Sequence, residues 1–178
     1  GYRGRKNPLV FIYEIEQETL SQVLNIPEGI IPTYVSFTDK EGKQILFCGL
    51  NYNELKLGIK FCSNRITQLY QADKLVHEKA EKKDGSSDKK DDEKSRAEKE
   101  NLRNQAKQSL AVKINQEPIT TCPILSKDKT KVAYFFSPWT VTHSMAFGIK
   151  VLKLGQNQTP ETILDVVQEK RLNADFTG

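Results

Sequence analysis

Few side chains in this chain of 178 residues have the type and spacing that catalysis demands. Covalent serine chemistry calls for a nucleophile raised on a sharp strand-to-helix turn, with Gly-x-Ser-x-Gly spacing to leave room for it. Here Gly85-Ser86 lies in a charged stretch with no strand or helix to hold an oxyanion site. Metal ligation calls for His, Cys or carboxylates at short, regular separations. His77 and His143 are isolated, and no Cys-x-x-Cys, His-x-x-x-His or Asp-x-Asp spacing occurs. Cys48, Cys62 and Cys122 are widely separated among apolar or β-type neighbours, which reads as small buried hydrophobes in a reducing compartment rather than as disulfides or ligands. The ten glycines are scattered singly, so no phosphate-cradling loop forms. The sequence therefore assigns no catalytic, cofactor-binding or metal-binding residue.

Two loops stand out for recognition rather than chemistry. Asn51-Tyr52-Asn53-Glu54-Leu55-Lys56 and Pro138-Trp139-Thr140-Val141-Thr142-His143-Ser144 both follow an apolar strand and both carry aromatics. Loops on rigid scaffolds commonly contact ligands or neighbouring domains. Packing of Tyr52 and Trp139 over strand ends is the simpler role.

The elements that position these loops are short and rich in β-branched and aromatic residues, with turn formers between them, an all-β pattern. Leu9–Ile15 and Leu20–Ile26 read as a hairpin, and Thr33–Phe37 and Gln44–Leu50 as a second one, closed by Thr38-Asp39-Lys40-Glu41-Gly42-Lys43. Further strands are expected at Ile66–Ala72, Leu110–Ile114, Ile119–Leu125, Lys131–Ser137, Ala146–Leu154 and Thr162–Val167. An internal repeat relates the segments from Val35 and from Ile124: a strand, a Thr or Ser, an Asp/Lys turn, then an apolar strand. Its period, without the insert described next, is roughly 50 residues, the length of one four-stranded propeller blade. The expected fold is an incomplete β-propeller of about two and a half antiparallel blades. Such an arc leaves apolar faces at its ends, which predicts low stability or aggregation in isolation.

Between residues 74 and 109 the composition turns to Lys, Glu, Asp and Ser and the aromatics vanish. That stretch buries too little apolar surface to offset its ordering and reads as a charged surface insert, with a helix in its second half. The expected organisation is 1–73, an outer hairpin of one blade plus three strands of the next; 74–109, the insert; and 110–178, the last strand of that blade and a further blade. The net charge of +4 sits largely in mixed-sign sequence, so no nucleic-acid partner is expected. No apolar run reaches the length of a membrane span and the first residues lack a signal-peptide core, which reads as a soluble, cytoplasmic protein with no membrane partner. The chain begins without Met and ends without a cap signal, as expected of a piece of something longer.

The run Lys56-Leu57-Gly58-Ile59-Lys60-Phe61-Cys62-Ser63-Asn64-Arg65, followed by Leu69-Tyr70, resembles a signature in the propeller of the acylaminoacyl-peptidases, members of the prolyl oligopeptidase family of serine peptidases. The resemblance extends through Pro8–Ile15, Val23–Gly29, Leu125-Ser126-Lys127-Asp128, Lys131–Tyr134, Asp165-Val166-Val167 and Phe176-Thr177-Gly178. It implies a propeller that restricts access of short N-acylated peptides to a C-terminal α/β-hydrolase domain, where the whole triad resides. The family reaction releases an N-acylated amino acid from a peptide N-terminus. No triad residue matches a position here, so the chain alone is expected to be inactive. The resemblance also suggests a homo-oligomer and implies no cofactor. The alternative is a non-enzymatic propeller that binds protein partners, with the insert as a docking arm.

Overall fold

The computed structural model describes residues 8–52, 64–78, 100–138, 146–155 and 159–166. Within them run β1 (Phe11–Glu14), β2 (Thr19–Val23), β3 (Ile30–Phe37), β4 (Gln44–Asn51), β5 (Thr67–Asp73) and β6 (Val76–Glu78). A helix, α1, covers residues 100–108. After it come β7 (Val112–Lys113), β8 (Ile119–Leu125), β9 (Lys131–Ser137), β10 (Gly148–Lys153) and β11 (Glu161–Leu164). The all-β class holds, and the strands form two open sheets rather than a closed barrel.

Alternation along β4 decides the layering. Successive side chains of a strand point to opposite faces. Leu46 and Cys48 enter one core with Leu69, Val132, Tyr134, Phe136, Leu152 and Val166. Ile45 and Phe47 enter another with Val23, Ala72 and Ala111. Being covered on both faces, β4 is buried along Ile45–Leu50, which is why it reads as a near-continuous apolar run. The β3-β4-β5 ladder is thus a middle layer, with the β1-β2-β6 sheet on one side and β9 and β10 on the other.

Gly49 serves the second core directly. A Cβ there would stand 2.5 Å from Ile30 Cγ2 and 2.6 Å from the Tyr70 ring, which stacks on Phe47 with centroids 5.4 Å apart. The missing side chain makes room for the aromatic pair.

The repeat seen in the sequence is a repeat in space. The antiparallel runs β3-β4-β5-β7 and β8-β9-β10-β11 each contain four strands. Their first strands carry matching bulges: Tyr34 and Val35 both oppose the single residue between Leu46 and Cys48, and Cys122 and Pro123 both oppose the one between Ala133 and Phe135. The first residue of each bulge is left-handed, with φ 52° at Tyr34 and 51° at Cys122. Each hairpin turn is held by an aspartate, at a different offset and through different donors. Asp39 accepts the Lys43 and Gln44 amides, and Asp128 accepts Ser126 Oγ at 2.5 Å and Thr130 Oγ1 at 2.9 Å. These hydrogen bonds, led by that from Ser126, hold the Asp128 carboxyl down at about 2. Lys129 Nζ reaches across to the Asp39 carbonyl at 2.7 Å, joining the two turns.

Two features differ from the expected arrangement. The two four-stranded runs are not separate sheets: one parallel bridge, Thr67↔Ile119, links β5 to β8 and makes them a single eight-stranded ladder. In addition, β6 lies inside the stretch read as an insert, where it pairs antiparallel with β2. The helical expectation for the second half of that stretch agrees with α1. The outer strand expected at Leu110–Ile114 is the two-residue β7, paired to Tyr70 and Gln71 of β5.

Asn25 ties these pieces together. Fully buried, it donates Nδ2 to the Asp73 carbonyl at 2.7 Å and the Ser109 carbonyl at 2.9 Å, and its backbone carbonyl accepts the Ala111 amide. One side chain therefore joins the end of β2, the end of β5 and the segment after α1. Asn25→Ala strands two acceptors in the interior, and a loss of about 2 kcal/mol is expected, read as a lower urea midpoint at unchanged slope.

Candidate functional site

Of the residues singled out from sequence, Cys48, Cys122, Tyr52 and the backbone of His77 are described. Cys48 is fully buried in β4, and burial, aided by the nearby Cys122 thiol, pushes its pKa up to about 12. A thiol so held is a packing group, not a nucleophile. Cys122 is partly exposed in the β8 bulge. The His77 backbone pairs with Gln22 in the β2–β6 ladder. Tyr52 is half-buried and its amide donates to the Gly29 carbonyl at 3.2 Å. Cys62, Gly85, Ser86, Trp139, His143 and the His77 side chain lie outside the described residues, as do most of the two aromatic loops and residues 56–63 of the signature run. Among the described residues no group of three His, Cys, Asp or Glu side chains is placed to hold a metal ion.

The structure instead assembles a buried polar cluster between β5 and the β8-β9-β10 ladder. Glu117, 8 % exposed, sits in the connection between β7 and β8. Its Oε1 accepts Lys150 Nζ from β10 at 2.6 Å, and its Oε2 accepts Asn115 Nδ2 at 2.9 Å and the Tyr134 hydroxyl at 3.3 Å. Asn115 Nδ2 also reaches Thr120 Oγ1 at 2.6 Å, while its Oδ1 accepts the Leu69 amide of β5 at 2.8 Å. The Lys150 ammonium lies 4.5 Å from the Phe136 ring centroid.

Burial works to raise the Glu117 carboxyl, but the hydrogen bond and charge of Lys150, with the Asn115 amide, outweigh it and hold the group below the usual carboxylate range. Burial first, then the Glu117 carboxylate, push the Tyr134 phenol well above its ordinary value. An ionised carboxylate with both oxygens occupied is poorly suited to general acid–base work. Its evident role is cohesion, binding the segment before β8 to β9 and β10 of the same run, while Asn115 carries the cluster across to Leu69 of β5 in the other. Sequence reasoning missed this cluster because Asn115-Gln116-Glu117-Pro118 looks like a turn and the partner lysine is 33 residues away.

A second feature concerns strand edges. Cys122 Sγ donates to the Tyr34 hydroxyl oxygen at 3.6 Å, so the two bulged, left-handed residues meet where β3 and β8 approach one another. Bulges with bulky left-handed residues are uncommon and recur beside functional surfaces. Tyr34 is 48 % exposed and forms part of a surface open to contact.

These open, layered, repeated strands define a β-sheet scaffold. Comparison with known proteins specifies it further. Residues 1–113 match the family model described as the N-terminal domain of acylamino-acid-releasing enzyme, and the chain belongs to that family. It is also similar to the acylamino-acid-releasing enzyme of Sus scrofa, with 26 % identity over 175 residues. That alignment takes in 98 % of this chain and 19 % of the relative, so the chain spans about a fifth of the relative's length. No helix among the described residues is long and apolar enough to cross a membrane.

Proposed function

We propose that this chain is part of a β-propeller domain in an acylaminoacyl-peptidase-like serine peptidase, where it gates short N-acylated peptides on their way to a C-terminal α/β-hydrolase domain. The observation that carries the reading is the pair of four-stranded runs with matching bulges, in a chain of this family. On this reading β3-β4-β5-β7 and β8-β9-β10-β11 are successive blades, the β1-β2 hairpin belongs to a preceding one, and most of residues 74–109 form an insert between the third and fourth strands of the middle blade. The parent enzyme would release an N-acylated amino acid through an activated serine and an oxyanion hole. The propeller would contribute selection by exclusion. Its partners would be the hydrolase domain, the acylated peptide and further copies of the enzyme, in the cytoplasm.

The full-length protein that carries these residues is expected to hydrolyse an acetyl-alanyl chromogenic substrate, and the 178-residue chain alone is expected not to. Hydrolysis by the isolated chain that survives purification would overturn the gating role. A full-length protein without this activity would move the chain to a non-enzymatic scaffold.

A further inference from the structure

The chain crosses from the β3-β4-β5 layer to the β1-β2-β6 sheet in very few residues. At the end of β5, Asp73 pairs with Gln44 of β4, and three residues on Val76 pairs with Val23 of β2. Lys74 and Leu75 make the whole crossing. Three residue steps reach about 11 Å at full extension, and packed sheets stand about 10 Å apart, so such a crossing has almost no slack. Both of its residues are tied down. The Lys74 amide donates to the Lys43 carbonyl beside β4, while its Nζ reaches Glu14 Oε1 of β1 at 3.1 Å. The Leu75 carbonyl accepts the Leu24 amide at 2.9 Å.

The seam between the two layers is apolar. Val23 of β2 shares one buried cluster with Ile45 and Phe47 of β4 and Ala72 of β5, and Val10, Ile12 and Val76 pack against it. Hydrogen bonds join the layers at the same end of the seam, through the crossing and through the Asn25 side chain on the Asp73 and Ser109 carbonyls. Beyond the crossing, β6 meets β2 in three residue pairs: Val76↔Val23, His77↔Gln22 and Glu78↔Ser21. Alternate residues of an antiparallel strand bond to opposite sides. The Val23 amide donates to Val10 and the Leu24 amide to Leu75, so Gln22 and His77 exchange the backbone bonds of this ladder. A hairpin such as β1-β2 is marginal by itself and depends on what it packs against.

We infer that residues 74–78 act as a strap that keeps this seam shut, and that breaking its three-pair ladder lets the β1-β2 hairpin swing off while the rest of the fold stays. The reason is geometric. A taut crossing holds β6 at the end of β5, so the hairpin leaves the middle layer only by parting from β6. The swing uncovers Ile45 and Phe47 and opens a lateral gap in the scaffold. The inference goes beyond the proposed gating role and does not depend on it.

The test is residue-resolved hydrogen exchange on the full-length protein in low, non-denaturing urea. In wild type the Val23 and Leu24 amides are expected to open together, ahead of the amides of β9. His77→Pro removes the donor to Gln22 and is expected to speed both about tenfold or more, the scale of one backbone hydrogen bond, with β9 unchanged. Faster exchange at Leu24 with Val23 as in wild type would make β6 an added strand rather than a strap. An equal effect from His77→Ala, which keeps the amide, would place the change on the side chain. Val23 opening only together with β9 would make the seam part of the global fold. Each of these three results overturns the inference, and the last is read on wild type, so it decides even where the proline variant does not fold. Peptidase activity enters none of them, so the gating reading stands or falls separately.

Discussion

Glu117→Gln is expected to destabilise the protein by about 3 kcal/mol or more at pH 7, the scale for removing one partner of a buried ion pair. The substitution is nearly isosteric, so packing is kept and the loss is electrostatic. Lys150, whose side chain is 20 % exposed, loses the carboxylate at 2.6 Å, and the Tyr134 and Asn115 donors lose an ionised acceptor. Lys150→Met leaves Glu117 as the unpaired charge and is expected to cost a similar amount. The double variant should recover most of the loss, because the desolvation of both charges disappears with them. Urea titrations of the four proteins measure the coupling. Two single variants within 0.5 kcal/mol of wild type, roughly the scatter of surface substitutions, would show that the pair contributes little.

The same pair sets a direction for acid sensitivity. Glu117 has a folded pKa below its unfolded value, so its contribution is complete above the unfolded value of about 4.3 and disappears as pH falls through the folded one. Wild type should therefore lose stability below about pH 4 more steeply than the double variant, which lacks this carboxylate. Parallel acid transitions in the two proteins would contradict this assignment.

Gly148→Ala is expected to cost about 3 kcal/mol, near the upper end for overpacking a filled site. A Cβ at this position would stand 2.5 Å from the Leu164 carbonyl oxygen and 2.5 Å from the Phe136 ring. A side-chain neighbour alone can rotate away, but the carbonyl belongs to the backbone of β11, so the strand must shift. Its pairing to β10 at Ile149↔Leu164 is the first contact affected. The readout is a lower urea midpoint together with faster amide exchange confined to β11. Unchanged β11 exchange with a lower midpoint would place the strain on Phe136 instead.

Much of the strand order was legible because it depends on local chemistry. β8 and β9 have the limits that alternation and flanking turn residues indicate, β4 runs one residue past its expected end, and β5 is shifted by one residue. The Thr38-to-Lys43 turn announced itself through Asp39 and Gly42, and the structure uses both: the aspartate accepts two amides and the glycine takes φ 67°. β6 was hidden because Val76-His77-Glu78 borders a charged tract and owes its strand conformation to β2, a partner more than 50 residues away. The Glu117 cluster was hidden for the same kind of reason, since a buried carboxylate is recognised by its distant lysine.

Sequence alone determined the β class, the repeated strand-turn-strand grammar and the family resemblance, because each is written in patterns a few residues long. Tertiary structure decided which faces of β4 meet which core, how the two repeats fuse through Thr67 and Ile119, and which sheet β6 joins. Those choices depend on burial and on hydrogen bonds between residues far apart in the chain. A backbone amide has the same chemistry in every sequence, and only the fold determines its partner.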